Sequence, residues 1–295
     1  MYVHEKKIGE GTYATIYKAY TTNNQPVAIK RIKKTKYSTG IDISAIREVR
    51  ALKKINNKYV IKLIDVYIKY DDIHLVLEFI DTDLESIIKN KNIIFLPGDI
   101  KSWMIMLLSG VYSLHEKFLI HRDIKPNNIL VSQNGIIKIA DFGLTRTIGG
   151  NMTSQAITRW YRPPELLLGS KKYGPSVDMW SVGCVFAELM LRVPFFAGES
   201  DLEQLNLIFK VFGTPDEEKY SSIKDLSGYI KFNKKEPIVL EEIFTAASKD
   251  TLSLLKKFFI FDPSQRISAY DALMDEYFSN EPKATLPQNL PFYRT

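Results

Sequence analysis

The stretch Ile120–Leu130, IHRDIKPNNIL, sets His, Arg, Asp, Lys and two Asn between apolar flanks. Burying such groups is costly unless each is paired or put to use, so this island predicts a site and not a core segment. Directly after it, ILVSQNGIIKIAD (129–141) holds two short apolar runs around Asn134-Gly135. Asn-Gly is the strongest short hairpin signal, with both turn residues at positive φ. Symmetric pairing about that turn sets Asn128 opposite Asp141, an amide oxygen and a carboxylate at the open end of one hairpin. Hard oxygens placed this way suit Mg²⁺, which takes one or two protein ligands and completes its shell with phosphate and water. Asp123 lies just upstream on the same loop. A turn held by Asx side chains would account for any one of these residues, but not for all of them at these spacings.

Upstream, the chain is rich in strand signals. YATIYKAY (13–20) and PVAIKRI (26–32) are β-branched and aromatic, with TTNNQ (21–25) between them, and IHLVLEFI (73–80) reads as a buried strand. One helix interrupts them, SAIREVRALKKI (44–55), with Ser44 as N-cap. In IGEGTYATIY (8–17), Gly9 and Gly11 bracket a turn whose backbone N–H groups can approach phosphates, although a plain glycine hairpin reads the same way. Lys30 sits inside a hydrophobic strand, where a lone lysine would snorkel outward; Glu48 in the helix is a fitting partner. After residue 80, long helices take over. Ile100, Trp103, Met104, Leu107, Leu108, Val111 and Leu114 recur at helical spacing within 100–118, and 177–191 is more apolar still. Further helices are expected near 201–213, 250–260 and 268–276. The fold class is α+β and bilobal: a β-rich part with one key helix at 1–80, a helical part at 81–282, and a short tail at 283–295.

The composition limits the alternatives. Apolar residues make up 45% and charged residues 25%, ordinary for a soluble globular chain. The net charge is +6, but the lysine pairs (Lys33-Lys34, Lys53-Lys54, Lys171-Lys172) lie among acidic residues, so a direct nucleic-acid footprint is not expected. The single cysteine, Cys184, excludes an internal disulfide and fits a reducing compartment. Neither a secretory signal nor a bilayer-spanning apolar run is visible, so no membrane association is expected. His74 and His115 read as structural residues, and His121 as a buttress of the polar loop.

VAIK (27–30), HRDIKPNN (121–128), DFG (141–143) and PPE (163–165), in that order, resemble the motif set of eukaryotic protein kinases over about residues 2–280. The resemblance implies the following roles. ATP is covered by Ile8, Gly9, Glu10, Gly11, Thr12, Tyr13, Ala14 and Ile16, and contacted by Ala28 and Leu130. Lys30 meets the α/β-phosphates and pairs with Glu48. Asp123 orients and deprotonates the substrate hydroxyl, Lys125 steadies the γ-phosphate, and Asn128 with Asp141 holds Mg²⁺. Leu77 gates the back of the pocket, Glu78, Phe79 and Ile80 form the hinge that binds adenine through backbone, and Asp83 is placed for the ribose. Two departures stand out: Ala14 replaces the third glycine of the phosphate loop, and Pro163-Pro164-Glu165 replaces Ala-Pro-Glu. Glu165 can still pair with Arg266.

SAIRE (44–48) resembles the helix of cyclin-dependent kinases that a cyclin pushes inward. Arg47 and Glu48 lie about 100° apart on that helix, so Glu48 can face Lys30 while Arg47 faces elsewhere. The family implies that Arg47, Arg122 and Arg146 converge on a phosphothreonine, best matched by Thr153. A phosphate gains one to three charge-assisted bonds of about 1.5–3 kcal/mol each. Ordering a ten-residue segment costs about 1–2 kcal/mol per residue, so a second, protein input is expected. GEGTYATIYKA, FIDTDLESIIK and AITRWYRPPELLLG resemble the branch serving general transcription factor IIH. That branch implies a cyclin H-like partner, a RING-finger assembly factor, Ser/Thr-Pro substrates in the RNA polymerase II C-terminal domain, activation segments of sister kinases as further substrates, and residence in the nucleus, with the cytoplasm as a second location. Against it, Thr12-Tyr13 resembles the inhibitory phosphosite pair of cell-cycle kinases, Arg146 stands where Lys is usual, and the chain ends soon after the kinase core. DISAIRE in place of PSTAIRE weighs against a cell-cycle kinase, and the absence of Thr-x-Tyr in 144–162 against a mitogen-activated one. The intact Lys30, Asp123, Asn128 and Asp141 weigh against a cyclin-binding pseudokinase scaffold.

Overall fold

The computed structural model describes residues 2–11, 14–33, 43–218 and 220–291. Five strands, β1 (Val3–Glu10), β2 (Ala14–Tyr20), β3 (Pro26–Ile32), β4 (Leu63–Lys69) and β5 (Asp72–Glu78), form an antiparallel sheet in the order β1-β2-β3-β5-β4. The two-residue period of β3 sorts its side chains. Val27 and Ile29 join Ala19 and Val76 in a small outer core, while Lys30 and Ile32 point the other way, toward α1 (Ile43–Lys54). That helix buries Ala45, Glu48, Ala51 and Leu52 on one stripe. It begins at Ile43, so Ser44 lies in the first turn and not at the cap.

The chain then crosses through β6 (Thr82–Asp83) and α2 (Leu84–Lys89) into α3 (Pro97–His115). α3 starts with Pro at its first position, where no N–H is missed, and the Asp99 carboxylate accepts from the Leu96 N–H at 2.9 Å. The apolar period over 100–118 overshoots: Phe118 is exposed at positive φ, and the chain passes into β7 (Leu119–Ile120). β8 (Ile129–Val131) and β9 (Ile137–Ile139) form the expected hairpin, and β6 pairs with β8. A short β10 (Arg146–Thr147) pairs with β7.

The remaining helices are α4 (Pro164–Leu167), α5 (Ser176–Leu191), α6 (Asp201–Phe212), α7 (Leu240–Ile243), α8 (Lys249–Phe258), α9 (Ala269–Leu273) and α10 (Glu276–Ser279). The single helix expected over 268–276 is two, because Asp275 caps a new helix by accepting from the Tyr277 N–H. α5 is buried on nearly every face, with Trp180, Val185 and Phe186 at the centre of the main core. Glu165 and Arg266, both buried, form a two-bond pair at 2.8 and 3.0 Å.

The last described segment runs back across this body. The Thr285 N–H donates to the Gly98 carbonyl at 3.0 Å, buried Lys101 donates to the Asn280 carbonyl at 2.9 Å, and Leu290 is buried. Close approach explains two glycines here. A Cβ on Gly98 would lie 2.7 Å from the Lys283 carbonyl oxygen, and one on Gly135 1.7 Å from that of Pro287. Among the described residues no helix is long and apolar enough to cross a membrane.

Candidate active site

Three elements meet at Lys30. Its Nζ donates to Glu48 Oε1 and Oε2 at 2.7 and 2.9 Å and to Asp141 Oδ1 at 2.8 Å. Burial alone would lower the Lys30 ammonium, but the Glu48 and Asp141 carboxylates hold it above the ordinary lysine range. For Asp141, burial is outweighed by Lys30, and its pKa falls. Ile16 and Ala28 stand in register with Lys30 and Leu77 respectively, so Ile16 and Lys30 share one face of the sheet.

The hairpin register differs from symmetric pairing by one residue. Ile129 pairs with Ile139, so Asn128 faces Ala140, whose N–H donates to the Asn128 carbonyl at 2.8 Å. The connection is a three-residue loop in which Gly135 alone takes positive φ, and the Ser132 and Ile136 backbones close it. Asp141 sits one step past the pair, at φ +60, where the chain leaves the strand. Asn128 and Asp141 therefore both lie at the open end of the hairpin, offset by one residue and not as cross-strand partners.

The polar loop is pinned from below by a residue that sequence reasoning passed over. The buried Asp178 carboxylate at the start of α5 accepts from the backbone N–H groups of His121 and Arg122, both at 2.8 Å, and meets His115 Nε2 at 3.0 Å. Burial raises its pKa, yet these bonds outweigh burial and hold it below the usual carboxylate range. Arg122 takes φ +68 to make this turn. His121 packs edge-on against Phe142 and lies 3.0 Å from the Ala140 carbonyl, a buttress as expected.

Above that floor, Asp123 is held on both oxygens. Thr158 Oγ1 donates to Oδ1 at 2.8 Å; Asn128 Nδ2 and Lys125 Nζ reach Oδ2 at 2.8 and 2.9 Å. Lys125 also donates to Thr158 Oγ1 at 2.8 Å. Thr158 was not foreseen; nothing in its immediate neighbours marks it. Beside it, Ile157 takes φ +68, and its carbonyl accepts from Arg162 Nε and Nη2 at 3.2 and 2.9 Å.

Other expected positions fall around this centre. Ile8 and Ile16 are exposed apolar residues, whereas Ala28, Leu77, Phe79, Ile80 and Leu130 are partly buried. The Glu10 carboxylate turns outward to Lys33 and Lys7, which hold its pKa down to about 2. Gly11 and Ala14 close their turn through one backbone bond; Thr12 and Tyr13 lie outside the described residues. The Glu78 side chain binds Lys138 and the Lys62 N–H, and one Asp83 oxygen caps α2 at the Ser86 N–H. Arg47, Arg146 and Thr153 line one cleft of about 430 Å³. The charges of Arg47 and Arg122 both bear on Arg146, whose pKa is lowered first by burial and then by them.

A lysine is clamped by a helix carboxylate and by the aspartate of an Asp-Phe-Gly turn, a second aspartate is oriented on a pinned loop, and the protein kinase domain family matches residues 2–278. The chain belongs to the protein kinase family. It resembles the probable serine/threonine-protein kinase KIN28 homolog of Encephalitozoon cuniculi, at 50% identity over 98% of this chain and 99% of that protein. It resembles the serine/threonine-protein kinase KIN28 of Saccharomyces cerevisiae at 44%, over 98% and 97%. Cyclin-dependent kinase 7 of Xenopus laevis is 46% identical over 96% and 82%. Among solved structures, the CAK complex from Chaetomium thermophilum bound to ATP-gamma-S contains a chain matched with TM-score 0.92 and 40% identity, over 98% of this chain and 94% of that one. The enzyme is thus a serine/threonine protein kinase of the KIN28 and cyclin-dependent kinase 7 type.

Proposed function

We propose that this kinase uses ATP and Mg²⁺, works with a cyclin H-like partner, and phosphorylates Ser/Thr-Pro sites. The observation that carries this reading is the Asp123 carboxylate, fixed by Thr158, Asn128 and Lys125 on a loop that Asp178 anchors. A substrate hydroxyl replaces the Thr158 contact on Asp123, which orients it and accepts its proton. Lys30, kept charged by Glu48, takes the α/β-phosphates, and Lys125 the γ-phosphate. The glycine turn at Gly9 and Gly11 covers the phosphates, the Phe79–Ile80 backbone takes adenine between Ile8, Ile16, Ala28 and Leu130, and Asp83 takes the ribose.

Asn128 and Asp141 fit a Mg²⁺. Both offer hard oxygens, and the Asn128 amide nitrogen is already spent on Asp123, which leaves its oxygen for a cation. The ion, when bound, neutralises phosphate charge.

Preference for proline after the acceptor residue is supported by Ile157. Its carbonyl is engaged by Arg162, so a following substrate residue lying against it finds that acceptor taken. An ordinary residue would leave its N–H unpaired, at about 1–3 kcal/mol, whereas proline has no N–H. The polymerase C-terminal repeats are therefore the favoured substrate, with activation segments of sister kinases second. The resemblance supports a RING-finger assembly factor, transcription factor IIH and the nucleus as the setting.

The test is ³²P transfer from ATP·Mg²⁺ by the cyclin-bound kinase to a polymerase heptad-repeat peptide and to an inactive sister kinase, with the Asp123→Asn protein as blank. Transfer to the repeat supports the proposal. Transfer only to a basic Ser-Pro peptide sinks it.

A further inference from the structure

Thr153 is held in place by more than the arginine cleft. The Met152 N–H donates to the Lys171 carbonyl at 2.8 Å, and Tyr173 Oη donates to the Thr153 carbonyl at 2.8 Å. The same Tyr173 Oη accepts from Arg122 Nη1 at 2.8 Å. A continuous path thus runs from the neighbour of Asp123, through one phenol, to the backbone at Thr153, in the stretch between Asp141 and Glu165 that is this chain's activation segment by the kinase resemblance. The Thr153 hydroxyl has no part in it; that oxygen accepts from the Gln155 N–H at 3.1 Å. Arg122 cannot drift away from the path, because its Nε donates to the Leu144 carbonyl at 2.7 Å and its backbone N–H is held by Asp178.

We propose that Tyr173 is a phosphate-independent latch, a positioning residue that ties the activation segment to Arg122 before Thr153 is modified. The proposal rests on the reading of Thr153 as the phosphorylated residue. A phenol is suited to the task, since it donates one bond and accepts another at the same time. Of the two bonds here, the one from the guanidinium is charge-assisted and the stronger. A phosphate on Thr153 would give Arg122 a stronger partner still, so the phenol matters most when that phosphate is absent. Because the latch grips a backbone carbonyl, it survives removal of the Thr153 side chain.

The experiment measures kcat/KM of the cyclin-bound kinase for a Ser-Pro peptide. Tyr173→Phe is introduced into the Thr153→Ala background and into kinase fully phosphorylated on Thr153, and Tm is recorded for each. The expected loss is at least about tenfold in the Thr153→Ala background, since both bonds go and the one to the charged group alone is worth that, and less than about twofold in the phosphorylated enzyme. Equal losses in both backgrounds would mean that Tyr173 only supports the fold. No loss in the Thr153→Ala background would mean that it does not position the segment. Either result overturns the latch. If phosphorylation leaves the wild-type rate unchanged, the reading of Thr153 fails, while the Thr153→Ala comparison still decides on Tyr173.

Discussion

Asp123 has two carboxylate oxygens and three side-chain partners, one on Oδ1 and two on Oδ2. Such crowding fixes the carboxylate in one orientation, as the proton-accepting role proposed for it requires. Asp123→Asn keeps the size and most contacts but loses the acceptor. Turnover should fall by about 10²–10⁴ with ATP affinity little changed, checked by phosphoryl transfer alongside nucleotide titration. Lys30→Ala acts differently, because it leaves Glu48 buried without its cation. Breaking a buried pair from one side costs about 3–5 kcal/mol, so this variant should lose both activity and chemical-denaturation stability. That Asp123, Lys125 and Asn128 come together was legible because they share one short stretch too polar for its surroundings. Thr158 was not, since it reaches Asp123 across 35 positions, and Tyr173 reaches Arg122 across 51. Contacts of that range are set by the fold, and no local pattern announces them.

The hairpin after the polar loop shows what pattern reading can and cannot reach at the level of an element. Asn-Gly located the turn correctly, but a two-residue loop and a three-residue loop differ by one in register. Here Gly135 alone supplies the positive φ, and the longer loop follows. α5 was legible as a buried helix, but its two buried carboxylates were not. Asp178, at its start, is held below the usual carboxylate range and contributes stability above that range. This contribution is lost as pH falls through its depressed pKa. Asp178→Asn would leave a backbone N–H of the polar loop unpaired, so a loss of about 1–3 kcal/mol in denaturant titration at pH 7 is expected. Glu188, near the other end, behaves oppositely. Burial, against the pull of its Tyr161 bond, raises its pKa to about 7. The folded state therefore holds a proton that the unfolded state releases near pH 4–5, and stability falls as pH rises from there to about 7. Glu188→Gln keeps an acceptor for Tyr161 and removes that penalty. Its Tm should rise by about 2–4 °C per kcal/mol recovered at pH 8 and stay unchanged at pH 4, measured by calorimetry.

For the whole molecule, the division into a sheet part and a helical part was visible in the change from period-two strands to long apolar helices. The connection between α6 and α7 was not, because its described residues are held by scattered turn bonds such as Thr214 to the Lys235 carbonyl. Nor was the path of the last segment, which is held by a few scattered contacts, Thr285 to the Gly98 carbonyl, Lys101 to the Asn280 carbonyl and the burial of Leu290, with no repeating apolar pattern. That path has a practical consequence. The region recognisable as a kinase domain stops at residue 278, whereas the folded body continues at least to Leu290. An expression fragment cut at the recognisable boundary would strip the acceptor from Lys101 and bare the backbone at Gly98 and Gly135. Such a fragment should melt several degrees below the full chain and become susceptible to proteolysis near the back of the hairpin that carries Asn128 and Asp141.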